Sequence, residues 1–337
     1  MPHLSTRVLQ GLLTLLLTLF GLLLVTFALS AFSPVDRVLQ IVGDHASQST
    51  YDQVRHQLGL DRPLPVQFWH YLVNLAHGDL GTASSTGQPV LHDLLATFPA
   101  TLELATLALI VGALFGVIAG VLCARYAGSP WDLAVRTLTL IGNSVPIFWL
   151  GLLMLALFYA KLQWTPGPGR LDDIYQYTVE PRTGFVLIDT WLSGDKEAFK
   201  NAIGHLLLPV LLLGYYSLAS ITRLTRSACL SEMNKEYILL ARAKGASEMT
   251  ILLRHVLPNI RGTLLTVIAL AWTSMLEGAV LTETVFSWPG IGRYLTTALF
   301  AGDTTAIMGG TLLIGASFVF INNLTDLLVR LTDPRIR

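Results

Sequence analysis

Apolar runs long enough to cross a lipid bilayer recur along this chain, at residues 8–32, 102–124, 138–160, 204–221, 263–286 and 306–328. At 1.5 Å of rise per residue, a helix of about 20 residues spans the ~30 Å hydrocarbon core. No water is available there to satisfy the backbone, so each run must close its own hydrogen bonds as a helix. The pattern predicts an all-α integral membrane protein with six transmembrane helices. Only 13% of the residues are charged, against about 25% in soluble domains. The first run contains Ala28-Leu29-Ser30, which resembles a signal cleavage site. It exceeds the ~7–15-residue core of a signal peptide, so a retained helix is expected.

Basic residues orient the helices. With the N-terminus in the cytoplasm, Arg7, Arg125, Arg136, the whole basic loop from Arg223 to Arg261, and Arg330, Arg335 and Arg337 share that side. The positive-inside rule favours this arrangement, so both termini are expected to be cytoplasmic. Cys123 and Cys229 fall on the same side and make no disulfide framework. A net charge of zero gives no bulk attraction to nucleic acid. Two segments face outward, 33–101 and 161–203. In the first, Phe68, Tyr71, Leu72 and Leu75 fall at helical spacing and predict an amphipathic helix. In the second, "TPGPGR" and "LSGD" read as turns.

No engine is visible. A phosphate-cradling loop needs Gly-Lys followed by Ser or Thr, and none of the lysines follows a glycine. The histidines lack metal-ligand spacing, and no Gly-x-Ser-x-Gly nucleophile turn occurs. Driven transport would take its energy from a partner or an ion gradient.

The basic loop, 223–262, contains "EYILLARAKGASEMTILLRHVLPN", residues 236–259. Tyr237 to Lys244 read as a short helix, with Gly245 as its left-handed stop. Ser247 suits the N-cap of a second helix carrying an apolar stripe of Met249, Leu252, Leu253, Val256 and Leu257, before Pro258 disturbs it. Ala241, Ala243 and Gly245 would admit a close partner surface, with Arg242 and Lys244 as rim charge. A plain positive-inside loop on anionic lipid also explains the charge, though not the small residues, stripe and Leu-Pro together.

This stretch resembles the cytoplasmic coupling loop of ABC importer permeases, in the peptide-transporter branch. Of the general permease pattern only Ala241, Gly245, Leu257 and Pro258 match. The branch version fits more fully, through Glu236-Tyr237, Ala241-Arg242-Ala243-Lys244-Gly245 and the upstream Arg223 and Arg226. "HGDLGTASSTGQPV" (77–90), "ATLELA" (100–105), "NSVPIFWLG" (143–151), "ETVFSWPGIGR" (283–293) and "DPRIR" (333–337) are similar to the same branch in order and spacing. "TGFVLIDTWLSGD" (183–195) is similar to dipeptide permeases in particular. The resemblance implies a type I ABC importer permease fold, with residues 1–101 as first helix plus periplasmic segment and 102–337 as a core of five helices. It also implies a bacterial inner-membrane location and a second homologous permease. Two ATP-binding subunits would carry ATP and Mg²⁺, and a periplasmic or lipid-anchored solute-binding protein would deliver the cargo. This chain would hold no cofactor and catalyse nothing.

Inside the membrane, Gly112, Gly116 and Gly120 share one helix face, read as close packing. Glu103, Glu277, Glu283 and Asp326 lie within or at the ends of spans, where acids are costly. Glu277 is near mid-span with Ser274 one turn before it, and replaces a small residue expected in the family. It faces a substrate ammonium, or is hydrogen-bonded among its neighbours, or is protonated. Glu283 and Asp326 read mainly as structural anchors. Pro146 predicts a kink, with Asn143 and Ser144 satisfying freed backbone groups. Asn143, Ser144, Ser274, Glu277 and Glu283 are the candidates for the translocation path. The rival reading is a stand-alone ion-coupled transporter or channel using Glu277 and Glu283 as a relay, although no inverted repeat is visible.

Overall fold

The computed structural model describes residues 2–33, 35–43 and 45–332. The terminal "DPRIR" lies outside them. The helices are α1 (Pro2–Ala31), α2 (Arg37–Val42), α3 (Gln48–Gln57), α4 (Leu64–Ala76), α5 (Val90–Arg125), α6 (Pro130–Ser144), α7 (Ile147–Met154), α8 (Asp173–Gln176), α9 (Val186–Ser193), α10 (Lys196–Met233), α11 (Glu236–Ala243), α12 (Glu248–Ile251), α13 (Leu257–Val285), α14 (Ile291–Phe300) and α15 (Thr304–Thr332). Two π-helical stretches, Leu155–Lys161 and Leu252–Val256, follow α7 and α12.

The count of six spans is not reproduced by length and apolarity among the described residues. Four helical stretches qualify: Val90–Arg125, Lys196–Met233, Glu248–Leu276 and Thr304–Thr325. A fifth arises if α6 and the α7 segment form one broken span. The described apolar part of α1, Leu15–Ala31, is shorter. The expected helix over 138–160 is in fact two, bent by 103°. Val145, held extended before Pro146 (φ −87°, ψ 130°), ends α6. Pro146 then starts α7, its carbonyl accepting from the N–H groups of Trp149 and Leu150 at 3.1 Å. Ser144 Oγ donates to the Leu140 carbonyl at 2.8 Å, as the sequence suggested for this break.

The chain divides into two compact units, Met1–Pro99 with Gly290–Phe320, and Ala100–Pro289 with Ile321–Arg337. Residues 290–320 thus group with the N-terminal segment. In the first unit, α4 is amphipathic as expected. Phe68 packs on Phe20 and Phe27 of α1, and Tyr71 stacks on Phe27 at 6.1 Å. Val90, Leu94, Tyr294, Ala298 and Ala306 form its core. Asp303, 1% exposed, accepts from the backbone and hydroxyl of Ser85 and from Ala306 N–H at the start of α15.

In the second unit α10 packs against α6, α7, α9 and α13. The glycine face of α5 meets α10. A Cβ at Gly112 would collide with Ser217, one at Gly116 would stand 3.0 Å from Ile221, and one at Gly120 would stand 2.6 Å from Thr225 Cβ. Small residues here let two backbones approach. At the α9 end, Glu103 (4% exposed) accepts from Arg170 at 2.5 Å and from the N–H groups of Val186 and Leu187 at 3.0 and 2.9 Å. Arg170 also stacks over Trp288 at 5.3 Å, whose indole N–H donates to the Ala100 carbonyl. A buried charge is tolerable when so fully partnered. Cys123 and Cys229 are buried free thiols.

Candidate functional site

The basic loop folds as an elbow. Lys235 takes extended dihedrals, Glu236 sits in the first turn of α11, where its charge complements the helix N-terminus, and the helix runs to Ala243. Gly245 then adopts φ +82°, and its N–H donates to the Arg242 carbonyl at 2.9 Å while Ala246 N–H reaches Ala241. That is the glycine stop the sequence predicts. Ser247 caps α12 as expected, accepting from Thr250 N–H at 3.2 Å.

The stripe on the second helix is corrected. Leu252 and Val256 are fully buried with Ile251, Ile238, Ile260 and Cys229, and Leu257 packs against them. Met249 and Leu253 point outward instead. The π-helical Leu252–Val256 stretch ends two residues before Pro258, whose ring would clash with a regularly placed carbonyl four residues earlier. The chain absorbs the proline there and continues into α13 without breaking. Ala241 likewise leans on this inner cluster. Ala243, Lys244 and Gly245 stay exposed, beside Leu239 and Leu240 at 56% and 57% exposure.

Polar contacts bolt the elbow to the helices it joins. Tyr237 Oη donates to Glu232 Oε1 of α10 at 2.5 Å and accepts from Asn259 Nδ2 of α13 at 3.2 Å. Lys235 pairs with the other Glu232 oxygen at 2.7 Å. Arg242, expected as free rim charge, grips Glu248 through two bonds of 2.8 and 3.2 Å, which raises its pKa above the ordinary arginine value. Farther along α10, Arg226 makes a two-pronged pair with the buried Asp132 of α6, at 2.7 and 2.8 Å. Glu232, Glu248, Asn259 and Asp132 escaped sequence reasoning.

The path candidates separate. Asn143, Ser144 and Ser274 line one concavity of about 340 Å³ at the α6–α7 break, with Tyr216 and Gly278. Glu277 is adjacent in sequence to Gly278 on α13; its side chain, like that of Asp326, lies outside the described residues. Glu283 is not on this concavity. Its carboxylate is fully buried and accepts from Thr101 at 2.6 Å. Among the described residues, no group of histidine, cysteine or acidic side chains could hold a metal ion.

Residues 116–337 match the family model described as binding-protein-dependent transport system inner membrane component, and residues 4–105 match its N-terminal companion. The di/tripeptide transport system permease protein DppB of Pseudomonas aeruginosa is 44% identical over 95% of each chain. The probable D,D-dipeptide transport system permease protein DdpB of Escherichia coli is 44% identical over 96% of this chain and 94% of its own. The dipeptide transport system permease protein DppB of Escherichia coli is 40% identical over 95% of both. Among solved structures, the inward-facing MetNI methionine ABC transporter superposes with a TM-score of 0.52 at 18% identity, over 69% of this chain and 93% of that one. That likeness shows the fold.

Proposed function

The chain belongs to the binding-protein-dependent transport system inner membrane components, and on that premise we propose that it is one of two permeases forming the path of an ATP-driven importer for dipeptides and short peptides. The peptide assignment rests on relatives at 40–44% identity named for di- and tripeptide transport. A homologous permease completes the path, a solute-binding protein supplies cargo from outside, and two partner subunits bind ATP and Mg²⁺. Both termini are cytoplasmic, which puts the elbow on the ATPase side.

The observation that carries the mechanism is the bolted elbow. Its exposed edge, Leu239, Leu240 and Ala243, is the surface for an ATPase groove. Its inner face is fused to α10 and α13 through Ile238, Leu252 and Val256 and through the Tyr237 bridge. Displacement imposed on α11 therefore moves two membrane helices together, whereas a flexible linker would absorb it. Nucleotide state biases a two-state permease through this lever. The concavity at Asn143, Ser144 and Ser274 supplies hydroxyl and amide groups to a peptide backbone crossing the helix break, with Glu277 one residue from its wall. Because the buried Glu283 is partnered by Thr101, it serves as an anchor beside the path.

Leu239→Asp with Leu240→Asp tests the assignment. These side chains face solvent, so the variant should insert and fold normally, lose labelled-dipeptide uptake, and leave ATP hydrolysis no longer stimulated by loaded binding protein. Wild-type uptake would refute docking on this face.

A further inference from the structure

Outside the elbow and the helix break, the first unit contains a cavity of about 350 Å³ whose chemistry the transport mechanism does not use. Its wall includes Phe27 near the C-terminal end of α1 and Met308 in the first turns of α15, with Arg37, Arg62, Tyr71 and Asn74 around it. Arg37 is partly buried, and its Nη2 approaches Met308 Sδ at 4.0 Å. Desolvation lowers its pKa from the ordinary arginine value. Among the described residues it forms no ion pair, and a desolvated guanidinium without an acceptor is costly. Tyr71 Oη is also buried without a partner at hydrogen-bonding geometry; it lies beside the Thr26 hydroxyl, which itself donates to the carbonyls of Leu22 and Leu23. One carboxylate, Asp79, shares the wall, and one of its oxygens accepts from Gly81 N–H.

Arg37, the Tyr71 hydroxyl and the exposed Arg62, one nitrogen of which meets His70 Nε2 at 2.6 Å, surround one cavity and fit an oxyanion. The surroundings specify which source. The cavity lies where the apolar stretch of α1, Leu15–Ala31, ends and the apolar stretch of α15, Thr304–Thr325, begins, the boundary at which lipid headgroups sit. Beside it, a groove between α1 and α15 is lined by Leu29, Ile307 and Met308 together with the hydroxyl residues Thr26, Ser30, Ser33, Thr304 and Thr311. Leu16, Leu17, Phe20 and Leu24 leave an apolar, exposed flank on α1. We propose that this cavity holds the phosphate of a membrane phospholipid, clasped by Arg37 and Arg62 and by the Tyr71 hydroxyl, with an acyl chain along α1. Lipid would then cement the first unit independently of cargo or nucleotide.

The test uses the full chain, purified in non-ionic detergent and stripped of lipid. It is titrated separately with phosphatidylglycerol in mixed micelles and with inorganic phosphate, and read by native mass spectrometry and thermal unfolding. Phosphatidylglycerol should bind and stabilise. Arg37→Gln should weaken that binding roughly tenfold or more, as expected for a lost charge-assisted hydrogen bond, and Arg37→Lys should weaken it less. Tyr71→Phe keeps the ring on Phe27 and should still weaken binding severalfold. Without lipid, Arg37→Met should melt no lower than the wild type, because it removes an unpaired charge. Wild-type lipid affinity in the Arg37→Gln/Arg62→Gln variant would overturn the site. Equal stabilisation by inorganic phosphate would overturn the lipid assignment, and so would an arginine effect seen only on binding-protein association.

Discussion

Gly245 offers a substitution pair that separates conformation from contact. Its φ of +82° lies in the left-handed region, and nothing stands within 4 Å of where a Cβ would be. Adding a methyl group therefore causes no collision within the chain, and the cost is conformational, about 1–2 kcal/mol for an L-residue held in that region. Such a cost lowers the population of the folded elbow by roughly 5- to 30-fold relative to its unwound alternative. Asparagine tolerates the left-handed region better than alanine does. If Gly245 acts by setting the angle of the elbow, Gly245→Ala should reduce dipeptide uptake more than Gly245→Asn, although asparagine is larger. If it acts by letting a partner approach, the order reverses. Initial uptake rates in proteoliposomes containing the assembled importer decide between them, with membrane insertion checked by protease protection. Wild-type uptake in Gly245→Ala, or worse uptake in Gly245→Asn, would refute the conformational reasoning.

Two other predictions concern stability. Arg170→Met leaves the Glu103 carboxylate buried with only two backbone donors, and should destabilise by about 3–5 kcal/mol, whereas replacing both partners with well-packed apolar residues should recover much of the loss. Thermal unfolding in detergent measures both. Gly112→Val drives a branched side chain into Ser217 and should cost about 1–3 kcal/mol or more, while Gly245→Ala, with its ~1–2 kcal/mol of left-handed strain and no collision, should lower the unfolding midpoint less.

What could be read in advance was whatever depends on local chemistry. The Gly245 stop and Ser247 cap follow from backbone geometry and a single side-chain oxygen. The glycine face of α5 follows from a four-residue spacing. Helix ends were less legible. Apolarity marks lipid contact, but α10 begins at Lys196, with Asp195 capping Glu197 and Ala198, and continues through polar residues to Met233. Pro146 was legible as a break but not as a turn of 103°, because its angle is set by packing of α7 against α10 and α13. The stripe on α12 misled because only its Leu252–Val256 side is buried, beside Ile251, Ile238 and Ile260, while Met249 and Leu253 stay exposed, and an apolar pattern does not say which part of a wide stripe tertiary packing will cover. Least legible were partners far apart in the chain, Arg226 with Asp132 and Arg170 with Glu103, for which spacing carries no signal.

The most direct examination of the lever is site-specific cross-linking at Ala243, exposed on the elbow. With Ala243→Cys in the assembled importer, the account predicts a cross-link to an ATP-hydrolysing subunit whose yield changes between nucleotide-free and ATP-bound states. Labelling of that cysteine only from the outer face of the membrane, or a complete absence of cross-links during turnover, would contradict it.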